Sequence, residues 1–181
     1  VASAYLTFVS LAPVTKTPRP VAPLLAQPDE EVPCTFQAEG TPVAAETRYR
    51  GNTSRYLSKK AWKLKFSEET AHHGRRELNL KASFLDPALI REALASRLFE
   101  AVGVAGFEVE PVHLEVNGRF LGLFNQAEEL DEDFFARRER SSTGDLFEAE
   151  SNLTLLGSPE EYAARYDKKT NEGTGHAELI A

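Results

Sequence analysis

The sequence has 181 residues, of which 41% are hydrophobic and 27% charged, and this composition is typical of a globular protein with a buried core. Its 21 basic and 28 acidic residues give a formal net charge of −7, which argues against a general binder of nucleic acid or of anionic membranes. Because Cys34 is the only cysteine, an intramolecular disulfide and a cysteine-based zinc site are both excluded.

The N-terminal region is rich in proline. Residues 1–33 contain six of the ten prolines, so we expect a strand over residues 2–11 and an extended connector over residues 12–28. Alternating apolar residues predict two further strands, at residues 32–37 and 43–50. Met is absent, even at position 1, and residues 178–181 read as the middle of a helix. We therefore expect the chain to be part of a longer translation product.

A polar, basic loop follows the strand at residues 43–50. Glycine lets the backbone approach a ligand closely, and Asn, Thr and Ser supply hydrogen-bond donors, so a loop of this composition is suited to holding an anion. The loop consists of Arg50, Gly51, Asn52, Thr53, Ser54 and Arg55. It is a candidate phosphate site, with an ordinary exposed turn as the alternative.

The next predicted strand, residues 61–66, has two different faces. Trp62, Leu64 and Phe66 alternate on one face, which we expect to pack on a core, while Lys63 and Lys65 lie on the other. The lysine face could present ammonium groups to a phosphate. Alternatively, it is a solvated edge that protects the strand from aggregation.

A short strand at residues 78–82 and a long helix come next. Asp86 and Pro87 are typical of the N-cap and the first residue of a helix, and apolar residues then recur at helical spacing over residues 87–102. Gly103 is suited to the position that follows a helix. The sequence therefore predicts one long helix in the middle of the chain.

A hairpin and shorter helices complete the predicted elements. Asn117 and Gly118 separate two apolar-rich runs, a strong hairpin signal for strands at residues 109–116 and 120–125. Helices are expected over residues 131–140 and after Ser158. This order of elements predicts an α+β fold with an antiparallel sheet and one long helix.

Five of these segments, in this order, resemble the CotH family of spore-coat-protein-H-like kinases. The basic loop with its lysine-rich strand resembles the opening motif of the family, and residues 78–92 resemble its strand and helix. Residues 116–124 resemble its Asn-Gly hairpin, residues 128–131 an acidic segment, and residues 144–147 the stretch after it. The resemblance runs from about residue 45 to 150.

The resemblance implies an atypical protein kinase that binds ATP with Mg²⁺ and transfers the γ-phosphate to Ser or Thr of a protein. A kinase small lobe needs a strand lysine held by a helix glutamate, so that the ammonium grips the ATP phosphates. Lys63 is the first candidate for this lysine, with Lys60 and Lys65 as alternatives. Glu92 is the preferred partner, ahead of Glu100. A solvated lysine and a surface glutamate are the simpler explanation of the same residues.

Ten residues are candidates for nucleotide binding under this resemblance. The loop and strand supply cations and donors, the helix supplies a carboxylate, and one glutamate lies in the link between the lobes, where backbone groups meet adenine. The ten are Arg50, Gly51, Asn52, Ser54, Arg55, Lys60, Lys63, Lys65, Glu92 and Glu128.

The resemblance also implies a domain organisation and a setting. Residues 1–31 would form a connector, residues 32–130 a kinase-like small lobe, and residues 131–181 the first helices of a large lobe. Asp145 and Asp167 lack a catalytic-loop pattern, so we expect the catalytic and Mg²⁺-binding aspartates outside this chain. The expected partners are ATP and a coat or surface protein, at the spore surface or outside the cell.

Two other functions fit the same sequence. The chain could be a non-catalytic structural or binding module of a spore coat or cell surface, to which the proline-rich N-terminal region is suited. It could also bind glycans or polyanions through arginines near the loop, with Tyr56 or Trp62 stacking on sugar rings. The alternation that places Trp62 on the apolar face argues against this last function.

Overall fold

The computed structural model of the protein describes residues 2–8, 30–38, 40–51, 53–139, 141, 143–149 and 155–180. The expected connector at residues 12–28 lies outside these residues. The chain divides into two compact units, residues 1–129 and residues 130–181. The expected division into a kinase-like small lobe and the start of a large lobe stays a prediction.

A seven-stranded sheet forms most of the first unit. Its strands are β1 (Ala2–Phe8), β2 (Val32–Gln37), β3 (Val43–Arg50), β4 (Ala61–Lys65), β5 (Glu77–Lys81), β6 (Val109–Val116) and β7 (Arg119–Glu128). They lie in the order β1-β2-β3-β4-β5-β7-β6. Six of the neighbouring pairs are antiparallel, and a parallel pairing of β1 with β6 closes the sheet.

The interior of this closed sheet is the hydrophobic core of the unit. Trp62 and Leu64 of β4 are buried, and Phe66 directly after it is buried too, as the alternation predicted. Lys63 and Lys65 lie on the outer face. Cys34 on β2 is also part of the core, and burial raises the pKa of its thiol to about 12. The thiol therefore stays protonated and unreactive at neutral pH.

The central helix, α1 (Arg91–Ala101), begins later than the sequence predicted. Asp86 starts a turn, in which Leu89 N donates to Asp86 O at 3.0 Å, and Leu89 has a φ of 57° that interrupts a helix. The carboxylate of Asp86 instead accepts a hydrogen bond from Arg91 N at 2.9 Å. The predicted end was right: Val102 is the C-cap, and Gly103 follows with a φ of 83°.

The predicted hairpin is confirmed. Asn117 and Gly118 have φ angles of 52° and 74°, the two left-handed residues that a type I′ turn between twisted strands requires. The turn joins β6 to β7, which continues three residues further than predicted, to Glu128. The strand extends because its last residues pair with β5 on one side and β6 on the other.

The second unit is small and mixed. It contains α2 (Glu132–Arg137), the strand pair β8 (Phe147–Ala149) and β9 (Tyr166–Lys168), α3 (Pro159–Arg165) and α4 (Ala177–Ile180). Asp131 caps α2 by accepting from Phe134 N at 3.0 Å, and Ser158 caps α3, as the sequence predicted. The described residues are thus an α+β protein that is mostly sheet. No helix within them is long and apolar enough to cross a membrane.

Candidate functional site

The basic loop after β3 is folded back on itself. Gly51 has a φ of 101°, a conformation that glycine adopts without steric cost, and the backbone of Thr53–Tyr56 forms one 3₁₀ turn. Arg55 Nε donates to Gly51 O, and Lys60 Nζ donates to Arg55 O. Two of the predicted cations therefore bind carbonyls of the loop itself.

A cavity of about 600 Å³ lies beside this loop. Its walls come from the loop, from the ends of β4 and β5, and from the segment that leads into α1. The polar residues among those that line it include Arg50, Lys59, Lys81, Ser83, Asp86 and Glu92. The cavity therefore contains both carboxylates and cations, and its cations come from the end of β3, the segment before β4, the end of β5 and the start of α1.

An ion pair joins a strand to the helix at this cavity. Lys81 is the last residue of β5, Glu92 is the second residue of α1, and Lys81 Nζ donates to Glu92 Oε1 at 2.7 Å. The ammonium also lies 5.0 Å from the centroid of the Phe107 ring, a cation–π contact that holds it in place. The other oxygen, Glu92 Oε2, is buried and has no hydrogen-bond partner among the described residues.

Two cations flank a small residue on the same face of the sheet. Arg50 lies opposite Ala61, and the Trp62–Leu80 pair places Ala61 next to Lys81. Arg50 and Lys81 are thus two strands apart, or about 10 Å between backbones. Since the side chain between them is only a methyl group, this face has room for an anion between a guanidinium and an ammonium.

The segment that forms the far wall of the cavity has an unusual backbone. Ser83 and Leu89 have φ angles of 44° and 57°, left-handed conformations that cost free energy in residues other than glycine. Asp86 stabilises this segment through its hydrogen bond to Arg91 N. Strain of this kind often concentrates where a segment is shaped to meet a ligand.

Comparison with known proteins identifies the family. A family model described as "CotH kinase protein" matches residues 47–180, which is most of the chain.

The chain belongs to the CotH kinase protein family.

A curated relative supports the assignment. The chain is 27% identical over 150 residues to inner spore coat protein H of Bacillus subtilis (strain 168), and this match covers 78% of the chain and 41% of the relative. The chain therefore spans about two fifths of the length of that relative. The CotH resemblance inferred from the sequence motifs is confirmed.

Only part of the nucleotide site expected from the CotH motifs gathers at the cavity. Arg50, Gly51 and Glu92 line it. Asn52 lies outside the described residues, as does the side chain of Ser54, whose backbone is in the 3₁₀ turn. Arg55 and Lys60 bind loop carbonyls and are not among the residues that line the cavity.

The two strand lysines expected to grip phosphate are paired elsewhere. Lys63 Nζ lies 2.5 Å from Glu77 and 3.8 Å from Glu129, and Lys65 Nζ lies 2.6 Å from Glu31. Neither lines the cavity. Both lysines are engaged with carboxylates on the outer face of the sheet.

Glu128 is buried at the end of β7. Its carboxylate accepts a hydrogen bond from Glu108 N at 3.0 Å, so one role it has is to hold the segment that leads into β6. Glu128 is likewise not among the residues that line the cavity. A contact with a nucleotide remains a prediction for this residue.

Asp145 and Asp167, which lack a catalytic-loop pattern in the sequence, belong to the second unit and are paired with lysines. Hydrogen bonds from Lys168 and Asn171 lower the pKa of Asp145, and Asp167 lies 2.5 Å from Lys169. Among the described residues, no group of three or more His, Cys, Asp or Glu side chains is placed to hold a metal ion.

Sequence reasoning missed Lys81 and Asp86 as residues of the cavity. The signal for Lys81 was present: it shares the outer face of its strand with Asn79 by alternation, and it comes shortly before the helix that carries Glu92. The resemblance of the basic loop and β4 to the opening motif of the family pointed to Lys63 instead. Which lysine meets the helix depends on strand order, which local patterns do not reveal.

Proposed function

We propose that this chain is the nucleotide-binding portion of a CotH-like protein kinase, in which the cavity next to Arg50 and Lys81 receives the phosphates of ATP. The observation that carries the proposal is the Lys81–Glu92 ion pair at the wall of the cavity. A strand lysine held by a helix glutamate is the arrangement with which protein kinases grip ATP phosphates. Lys81 thus takes the role that the motifs had suggested for Lys63.

The charges of the cavity suit a phosphate chain. Lys81 would contact one phosphate while Glu92 holds the ammonium in place, and Arg50 would contact a second oxygen from the opposite side of Ala61. Gly51 leaves room for the ligand to approach the loop backbone. Mg²⁺ would accompany the ATP and neutralise charge between its phosphates, and the carboxylates that hold it are not assigned to residues of this chain.

Phosphoryl transfer is proposed for the complete protein. Because the chain spans about two fifths of its curated relative, its own part in the reaction is to bind and orient the nucleotide. The acceptor would be Ser or Thr of a protein, and the relative's description as an inner spore coat protein suggests a coat protein as substrate. The same description suggests the spore surface as the location of this protein.

The test is to measure MgATP binding by calorimetry for the wild-type chain and for Lys81→Met and Lys63→Met variants. We expect Lys81→Met to weaken binding about 10- to 100-fold, since a hydrogen bond to a charged group contributes about 1.5–3 kcal/mol. Melting temperatures would confirm that both variants are folded. If Lys63→Met removes binding and Lys81→Met does not, the phosphates bind near Lys63 and not in the cavity next to Lys81, and the proposed site is wrong.

A second candidate function is a non-catalytic coat module. The description of the relative as an inner spore coat protein favours assembly as a role in its own right. Incubating the complete protein with γ-labelled ATP and coat extracts distinguishes the two. Transfer of label to the protein or to a coat component supports the kinase, whereas its absence in a protein that still assembles into coats supports the structural role.

A further inference from the structure

Lys59 occupies the point where the pairing of β5 with β7 ends. The last pair of that ladder is Lys81 with Asn125. Beyond it β5 leads into the wall of the cavity, while β7 continues along β6. Lys59 Nζ donates to Ala82 O at 3.0 Å and also to Leu123 O. One ammonium therefore joins two strands just after their own hydrogen bonds have ended.

The surroundings of this ammonium hold it firmly. It lies 4.3 Å from the centroid of the buried Phe124 ring, a favourable cation–π distance. Burial lowers the pKa of Lys59. Two of its three donors are used by carbonyls, and the side chain lines the same cavity as Lys81. A charge that is partly desolvated in this way is retained only where its hydrogen bonds compensate for the lost hydration.

We propose that Lys59 is a positioning residue for Lys81. Ala82, whose carbonyl Lys59 binds, directly follows Lys81, so this bond restrains the end of β5 from which the Lys81 side chain projects. Lys59 thereby keeps the ammonium of Lys81 within reach of Glu92. Its importance for ligand binding rests on the proposed function, whereas its effect on the Lys81–Glu92 pair does not.

The experiment compares Lys59→Met, which keeps the length of the side chain but removes its charge, with Lys59→Arg, which keeps the charge. The first measurement is the NMR signal of the Lys81 side-chain ammonium, assigned by its loss in a Lys81→Arg variant. In the wild type we expect a slowly exchanging signal, because the group is paired with Glu92. We expect Lys59→Met to lose that signal and Lys59→Arg to retain it.

The second measurement is MgATP affinity by calorimetry. We expect Lys59→Met to weaken it about tenfold, equivalent to one lost hydrogen bond of modest strength, and Lys59→Arg to restore most of it. Lys169→Met, in the second unit, is the matched control for loss of a lysine charge. It should leave both the Lys81 signal and the affinity as in the wild type.

The outcomes separate three explanations. An unchanged Lys81 signal with weakened binding in Lys59→Met would mean that Lys59 contacts the phosphates itself, and would overturn the positioning role. An unchanged Lys81 signal with only a lower melting temperature would reduce Lys59 to a structural residue. If the wild-type chain binds no nucleotide, the proposed function fails, but the NMR comparison still decides whether Lys59 positions Lys81.

Discussion

At the scale of single residues, His72 packs its ring on the core at one end of the closed sheet. Its centroid lies 5.1 Å from that of Phe36 in an edge-to-face arrangement and 4.3 Å from that of His73. Burial, followed by the neighbouring charges of His73 and Arg75, lowers the pKa of His72 to about 4. The folded protein therefore keeps this imidazole neutral at a pH where the unfolded chain protonates it.

This pKa shift predicts a specific loss of stability in acid. The free energy of unfolding has its full value above the pKa of an unfolded histidine, about 6.5. It decreases as the pH falls towards 4, since over that interval only the unfolded state takes up the proton. Allowing for solvent screening of a partly exposed ring, we expect a loss of about 1–2 kcal/mol over that interval. Urea unfolding of wild type and His72→Phe at pH 7, 5.5 and 4.5 measures it. The variant should show the smaller decrease, and equal decreases would contradict the assignment.

At the scale of elements, α1 has its large apolar side chains on the side away from the sheet. Leu94 and Leu98 are 56% and 59% exposed, whereas Ser96 is buried. Ser96 Oγ donates to Phe107 O at 2.6 Å. A Cβ atom added to Gly106 would lie only 2.5 Å from Ser96 O. The helix thus packs on its unit through small and polar residues, which permits a close approach.

This packing reverses the usual expectation for substitutions in a helix. We expect Leu94→Gln and Leu98→Gln to change the free energy of unfolding by less than about 0.5 kcal/mol, as surface substitutions do. Gly106→Ala should cost about 1–3 kcal/mol, because the added methyl group overlaps the helix backbone. Chemical denaturation of the three variants gives the values. If the leucine variants prove the more destabilised, the exposed side of α1 is misassigned.

The elements show where sequence patterns suffice and where they do not. Alternation identified the buried side of β4, and the Asn117-Gly118 turn was predicted because its conformation depends on only two residues. The predicted start of α1 was wrong because Asp86 does not cap a helix that begins at the next residue. Its carboxylate accepts a hydrogen bond from Arg91 N, on the far side of a turn. Apolar spacing identified the helix but not which side meets the sheet, and strand order decides whether Lys63 or Lys81 meets Glu92. Those outcomes depend on contacts between distant parts of the chain.

At the scale of the whole molecule, the sheet begins earlier in the chain than the family match. The match begins at residue 47, whereas the first sheet also contains β1 and β2, which come before it. β1 pairs with β2 on one side and with β6 on the other, and its Ala4 is fully buried. The strands that close the sheet are therefore contributed by the part of the chain outside the family match.

Removing residues 1–8 should consequently destabilise the first unit severely. The deletion leaves unpaired the edges of β2 and β6 that β1 had covered, and unpaired edges promote association between chains. The lost strand pairs are worth several kcal/mol at about 1 kcal/mol per hydrogen bond, against a total stability of about 5–15 kcal/mol. Size-exclusion chromatography and urea unfolding would reveal aggregation or a lost cooperative transition. A monomer with an unchanged midpoint would show that the sheet does not need β1.

The parallel pairing of β1 with β6 also predicts an order of events during folding. Ala2 pairs with Val112, so this contact joins residues 110 positions apart and must close a long loop, at an entropic cost that slows such contacts. The hairpin of β6 and β7 needs only a two-residue turn and can form early. Among the strands of this sheet, β1 leaves the ribosome before the others, yet it has to wait for β6 before its second edge is paired. The earliest strand of this sheet is thus among the last to be completed, and in that interval a chaperone or another chain can reach its free edge.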